Sequence, residues 1–278
     1  MAFERVSSLL KKADKANTSV LAFNCIDFNT VYPVITVAEE LKKPVIVMFY
    51  PEHFYKNNVF NLAGFAAMVK TLAEEVKVPI GLHLDHSSDY EFIMKAIKGG
   101  FTSVMYDGSS LPLEENIANT RKVVETAHVL GVDVEAELGH VGIAVKNDQY
   151  KEDLYTKADV ASHFCKETNV DSVAIAIGSA HGVYLTTPQL DLKRLDEINA
   201  ATATPLVLHG GSGIPSDQLD EAFKRGINKF NIGTEYFQLY FDSCKEYTEN
   251  NKSIFDFPVF AQEKLKNYLR NKMLLSKF

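Results

Sequence analysis

Cysteine, glycine, proline and positive charge are all scarce in this 278-residue chain, and each shortage excludes a class of protein. The three cysteines, Cys25, Cys165 and Cys244, are odd in number, widely spaced and free of any CxxC pair. Neither a disulfide framework nor a thiolate zinc site is indicated, and a reducing, cytoplasmic setting is expected. Each thiol is read as a small buried hydrophobe rather than a nucleophile. Fifteen glycines and nine prolines are too few for a collagen-like or low-complexity chain, whereas 46% hydrophobic and 23% charged residues suit a globular protein with a sizeable core. Lys and Arg number 29 against 36 Asp and Glu, a net charge of -7, which leaves no footprint for nucleic acid or an anionic membrane. No run approaches the ~18 consecutive apolar residues of a membrane helix. The opening MAFERVSSLL lacks the apolar core of a secretory signal. A small soluble partner is therefore expected.

What the chain does have is a repeating alternation of two periods. Eight short apolar runs, rich in Val and Ile with little polar alternation, start at 19 (SVLAFNC), 44 (PVIVMFY), 79 (PIGLHLDH), 103 (SVMYDGS), 133 (DVEAELG), 172 (SVAIAIG), 205 (PLVLHGG) and 229 (KFNIGTE). Such runs read as parallel strands buried on both faces. Between them lie amphipathic stretches such as NLAGFAAMVKTLAEEVK and LEENIANTRKVVETAHVLG. Ser88 and Ser216, the latter after Pro215, stand where N-caps belong, and Gly100, Gly131 and Gly226 stand where helices close. Unbroken β/α alternation without a linker predicts one α/β domain over 1–278, a single (β/α)₈ TIM barrel. Extra terminal helices near 3–15 and 257–274 would cover the barrel floor or mediate assembly.

Barrel chemistry gathers at the C-terminal strand ends. Those ends carry Asn24, then Asp85 and His86, Asp107, Glu137, His181 just past the sixth run, His209, and finally Asn231 and Thr234. Three imidazoles, His86, His181 and His209, converging from three strands form the arrangement that holds a divalent ion with an open coordination position; zinc is the first choice. Asp85, beside His86, is placed to move protons on a bound substrate, or to orient a ligand. His83 shares its strand face with Asp85 and is a candidate orienter. Asp107 and Glu137 could hold a second cation, act as a counterweight, or cap helices. The seventh and eighth runs continue into HGGSGIP and NIGTE, the barrel pair whose loops most often bind phosphate, with Gly210 and Gly211 allowing backbone approach and Ser212 and Thr234 adding hydroxyls. Gly182, next to His181, could add another backbone donor.

The set HLDH, EAELG, AIGSAHGVY, LVLHGGSGIP and NIGTE resembles the class II, zinc-dependent fructose-bisphosphate aldolase family, in particular its tagatose-bisphosphate branch, over nearly the whole chain. The resemblance implies a TIM barrel with zinc on His86, His181 and His209, and Asp85 as the proton donor. It implies an alternative metal position at Asp107 and Glu137, and phosphate contacts at Gly182, Gly210, Gly211, Ser212 and Asn231 to Thr234. The implied reaction is reversible aldol cleavage of a ketose phosphate or bisphosphate into dihydroxyacetone phosphate and an aldehyde, in a cytoplasmic homodimer or homotetramer, with room for a second cation near the phosphate site.

Two stretches depart from the pattern of that family. After ELG the family carries glycines and then acids, one of which takes a proton from substrate carbon; here the loop reads HVGIAVKNDQYKED, with Val145 or Lys146 near that place and Asp148, Glu152 or Asp153 as substitutes. After the second strand the family's Gln-x-Ser pattern, which contributes to the far phosphate, is replaced by Met48, Phe49 and Tyr50, so that the far end either lacks the second phosphate or binds it through another group such as Arg270 of the C-terminal helix, in its own or a neighbouring subunit. The competing readings are a catalytically weak zinc- and phosphate-binding barrel with a regulatory role, and a metal-dependent hydrolase.

Overall fold

A computed structural model describes residues 3–52, 61–139, 141–146, 154–250 and 253–278. Along the chain run α1 (Val6–Lys15), β1 (Val20–Asn24), α2 (Phe28–Leu41), β2 (Val45–Phe49), α3 (Leu62–Glu74), β3 (Ile80–Ser87), α4 (Tyr90–Gly99), β4 (Ser103–Tyr106) and α5 (Leu113–Val129). They continue with β5 (Asp133–Leu138), α6 (Ala158–Thr168), β6 (Ser172–Ile175), α7 (Leu192–Ala201), β7 (Leu206–Leu208), α8 (Ser216–Lys224), β8 (Ile227–Ile232), α9 (Thr234–Glu249) and α10 (Phe257–Met273). The eight strands are parallel and close in sequence order, β8 pairing with β1, which is the TIM-barrel architecture.

Alternation along each strand divides its side chains between two cores. Outward residues such as Phe23, Val47, Leu82, Val104, Val134, Val173, Leu208 and Phe230 pack against the helices in one large apolar cluster. Val20, Ala22, Ile46 and Met48 form a second cluster with Val6, Leu9, Leu10 and Ala13 of α1. Those four α1 residues follow the i, i+3, i+4, i+7 spacing of a helix face, so α1 plugs the N-terminal floor. Asp133, at the start of β5, fixes this plug by accepting from the Ser7 backbone at 2.8 Å and from the Arg5 guanidinium.

Of the two roles expected of the terminal helices, covering the floor falls to α1 and not to the C-terminal helix. α10 packs on the barrel wall against α2 and α9, and only the last residues reach the floor, where Lys43 donates to the Ser276 and Phe278 carbonyls at 2.8 Å. The helix after β8, α9, was not among the sequence-derived helices; it buries only Tyr236, Ser243 and Tyr247, too thin a stripe to show as amphipathic. The expected cap at Ser88 belongs instead to Asp89, whose side chain accepts from the Glu91 and Phe92 backbones. Ser216 is the first residue of α8 and Pro215 takes the cap position. Gly100, Gly131 and Gly226 all adopt positive φ at helix ends, as their positions predict.

Candidate active site at the mouth of the barrel

A cavity of about 540 Å³ opens at the C-terminal ends of the strands. Asn24, Asp85, His86, Asp107, Glu137, His181, Gly182, Gly210, Gly211, Ser212, Asn231 and Thr234 all line it. Tyr50, Val141, Ile143, Gly233 and Phe237 complete the wall. His209 lies fully buried against the same space, its ring centroid 4.6 Å from that of His86. Arg270 is the one expected substrate contact that the fold does not bring there. It sits on α10, facing away, with Nε and Nη2 donating to Glu40 at 2.8 and 2.9 Å.

Strand periodicity alone would separate Asp85 from His86, because consecutive side chains point to opposite faces. The pairing of β3 with β4 shifts register between Leu84 and Ser87, and His86 takes φ of 31°, in the left-handed region. This bulge turns His86 back over the mouth, a strained backbone of the kind that persists where the surroundings impose it. His181 is held differently: its N–H donates to the Gly142 carbonyl at 2.8 Å and its carbonyl accepts from Ala144 at 2.9 Å, so the loops after β5 and β6 bridge each other.

The ligand atoms of His86, His181 and His209 all lie within 4.8 Å of one another, and so do those of His86, Asp107 and Glu137. His86 Nδ1 is 2.8 Å from Asp107 Oδ2, which leaves Nε2 for the other two histidines. His209 Nδ1 and Glu137 Oε2 are buried without hydrogen-bond partners and stand 3.3 Å apart. Orphaned buried acceptors facing each other are costly unless a cation lies between or beside them, so the donor set fits a divalent metal.

Charge in the site points the same way. Burial disfavours a charged His86, yet Asp85 and the bond to Asp107 raise its pKa to about 10. Burial, with the positive His86 nearby, lowers His181 to about 4 and keeps its lone pair free. Asp85 is opposed by burial, but the charges of His86, His209 and Lys229 lower it to about 2. A pocket that holds one proton this tightly is electronegative, and a divalent ion satisfies it better. Asp85 is clamped by Asn24 Nδ2 at 2.8 Å and Asn231 Nδ2 at 3.0 Å.

Another part of the lining is built from backbone. Gly210 has φ of 65°, and a Cβ there would meet the Ala180 carbonyl; one at Gly211 would strike the Phe230 ring at 2.2 Å. Only glycine permits the loop after β7 to pass this close to its neighbours at these two positions. Tyr184 ties this loop to the preceding one, accepting from the Ala180 backbone at 2.6 Å and donating to the Gly210 carbonyl at 2.9 Å. Ser212 Oγ accepts from the Glu235 backbone at 3.2 Å, and Glu235 in turn accepts from the Gly213 N–H. The loops after β7 and β8 are thereby fastened at the start of α9, whose N-terminus lies at the cavity with Gly233 and Thr234 in its lining.

Asp148, Glu152 and Asp153 lie outside the described residues, as do His53 and His140; Lys146, exposed, ends a 3₁₀ turn. His128 pairs with Asp171 at 2.8 Å on α5, away from the mouth. The sequence reading passed over Phe237, one turn beyond Thr234, and Glu135 and Lys229, which counting back by two from Glu137 and Asn231 would have placed inside the barrel.

A closed parallel barrel whose mouth gathers a histidine triad and glycine-shaped loops defines a (β/α)₈ protein with a donor set suited to a metal. The chain belongs to the class-II fructose-bisphosphate aldolase family, whose profile matches residues 4–277, and it is therefore a class II aldolase, a lyase. It is similar to the YdjI aldolase of Escherichia coli K12, at 32% identity over 99% of this chain and 97% of that one, with a TM-score of 0.88. The fructose-bisphosphate aldolase of Campylobacter jejuni shares the fold at 21% identity, covering 99% of this chain and 95% of that one, with a TM-score of 0.84. Among the described residues no helix is long and apolar enough to cross a membrane.

Proposed function

We propose that the chain is a zinc-dependent aldolase that reversibly cleaves a ketose phosphate or bisphosphate, such as fructose- or tagatose-1,6-bisphosphate, into dihydroxyacetone phosphate and an aldehyde, glyceraldehyde 3-phosphate for those two sugars. The observation that carries this reading is the convergence of the histidine triad, Asp85 and the glycine-shaped loops on one cavity. When bound, the metal supplies a Lewis acid for the substrate carbonyl oxygen. His86, His181 and His209 would hold it, and Asp107 and Glu137 offer an alternative position or a second cation site near the phosphate.

Asp85 is ionised and fixed by two asparagine amides, so in cleavage it accepts the proton of the hydroxyl on the carbon that becomes the aldehyde. In condensation the same carboxyl returns that proton. The amides of Gly182, Gly210 and Gly211, the Ser212 hydroxyl and the Asn231 to Thr234 turn hold the phosphate of the dihydroxyacetone phosphate half. Residues 1–278 are read as one domain, supported by the family match over 4–277. Exposed Phe241, Ile254, Phe255 and Val259 supply apolar area on and between α9 and α10 for a homodimer or homotetramer.

The test is turnover of a panel of ketose mono- and bisphosphates by the zinc-loaded protein, with proton exchange into dihydroxyacetone phosphate as a separate readout. Metal and phosphate binding without either activity would favour the regulatory barrel.

A further inference from the structure

One layer below the triad, the barrel interior contains charge that the proposed chemistry does not use. Lys229 of β8 and Glu135 of β5 are both fully buried, and Lys229 Nζ donates to Glu135 Oε1 at 3.0 Å and Oε2 at 2.8 Å. Glu135 Oε1 also accepts from His209 Nε2 at 3.0 Å, and Oε2 accepts from Ser172 Oγ at 3.2 Å. Four hydrogen bonds from three donor groups occupy the roughly four lone-pair directions of one carboxylate, so the group has no freedom to turn. On the same ring, His209 Nδ1 is buried without a partner and faces the triad. Burying an ion pair is costly, and a well-packed apolar pair of similar volume is often at least as stable. The barrel interior packs such residues elsewhere, with Val20, level with Lys229 in the register of β1 and β8, clustered with Ala22 and Ile46.

We infer that Lys229 and Glu135 are positioning residues for the metal site: Lys229 locks the Glu135 carboxylate, Glu135 holds the proton of His209 on Nε2, and the Nδ1 lone pair is thereby aimed at the ion. This rests on the reading that the triad binds zinc. Glu135 touches His209 directly and Lys229 acts only through Glu135, which predicts a graded response. Replacing both by apolar residues removes the ion pair without stranding either charge, but leaves His209 Nε2 without an acceptor. Replacing Glu135 by Gln beside an apolar residue at 229 keeps an amide oxygen for Nε2 and removes its lock.

The experiment is zinc affinity by competition with a chelating dye, on wild type and on two double variants, Glu135→Met/Lys229→Met and Glu135→Gln/Lys229→Met, with the metal-free melting temperature measured in parallel. The Met/Met chain is expected to melt within a few degrees of wild type when stripped of metal and to bind zinc about 10- to 100-fold more weakly, the usual scale for losing an outer-shell partner. The Gln/Met chain should recover part of that affinity. Wild-type affinity in a folded Met/Met chain would overturn the inference while leaving the zinc reading intact; no zinc binding by wild type would overturn both. Should the variants fail to fold, the zinc-loaded wild type decides, because ¹⁵N-histidine spectra must show a ligand ring carrying its proton on Nε2. Ligand rings protonated only on Nδ1 would end the proposal.

Discussion

The two walls of the cavity are made differently. One wall consists of side chains on strand ends: His209, Asp85 and Glu137 are buried and His86 partly so, with Asn24 bracing Asp85 at the mouth and Glu135 bracing His209 from deeper in the barrel. The other consists of peptide groups in the loops after β7 and β8, shaped by glycines and tied together by Tyr184 and Glu235. A charge-bearing wall depends on which residue stands at each position, whereas a backbone wall depends on what is absent, namely a Cβ. Substitutions should therefore act on chemistry at the first wall and on substrate binding at the second, and that contrast can be broken.

The largest effect is expected at the metal. His181→Ala should lose zinc and reduce turnover by roughly three orders of magnitude or more, the scale of the several kcal/mol a Lewis acid supplies. His128→Ala, whose ring pairs with Asp171 on the outer wall, should lose neither. Full activity after chelation would refute the division between the walls at its root.

Asp85→Ala comes next. Its clamp by Asn24 and Asn231 is separate from the ligand set, so the variant should keep zinc yet lose cleavage by ~10²–10⁴, as for other general acids and bases. Loss of zinc would make Asp85 a ligand orienter instead.

Proton release sharpens the electrostatics of the same wall. In the metal-free chain His86 has its pKa raised from 6.5 to about 10, so at pH 8 its ring carries a proton that the metal must displace. A raised pKa stabilises the fold fully below 6.5, and that contribution fades as pH rises through about 10. Zinc affinity should thus climb with pH across this window, and calorimetry in buffers of different ionisation enthalpy should show about one proton released at His86 per ion. Uptake without proton release would contradict the site's charge balance.

The first wall was the more legible in sequence, and the reason is physical. Strand ends of a barrel converge, so polar residues read off eight short runs could be placed in one cavity before any contact was known. Eleven-tenths of a helix turn beyond Gly233, Phe237 was invisible because nothing marks a helix whose buried stripe is as thin as that of α9. The bulge that rescues His86 from the wrong face was hidden too, since no residue type announces a register shift between Leu84 and Ser87. Glu135 and Lys229 sit in the middle of β5 and β8, away from the strand ends where barrel chemistry gathers, although period 2 carries straight down to them.

Gly211→Ala tests the second wall. Its Cβ would strike Phe230, itself fully buried, so the loop must retreat; a cost of ~1–3 kcal/mol is typical of such overpacking. KM for every phosphorylated substrate should rise while zinc affinity stays at the wild-type value. A loss of zinc would show that the two walls are one mechanical unit.

The smallest effect is expected at Arg270, where family position and structure disagree. Family position puts a cation there for the far phosphate, but in this fold the guanidinium is engaged by Glu40 through two bonds and by Asn267 Oδ1 at 2.8 Å, on the outer face of α10. Exposed pairs of this kind contribute little to stability, so Arg270→Ala should leave folding intact. Within one barrel it should also change cleavage of monophosphates and bisphosphates equally, by less than about twofold, because removing a group that makes no contact with substrate alters neither ground-state nor transition-state binding. Ser212→Ala, in the cradle, should by contrast weaken every substrate that shares the dihydroxyacetone phosphate end. Steady-state kinetics on a matched monophosphate and bisphosphate pair decides the matter. A selective loss on the bisphosphate would mean that Arg270 leaves Glu40 and serves the cavity of a neighbouring copy, which would add a side-chain cation to a wall otherwise built from backbone.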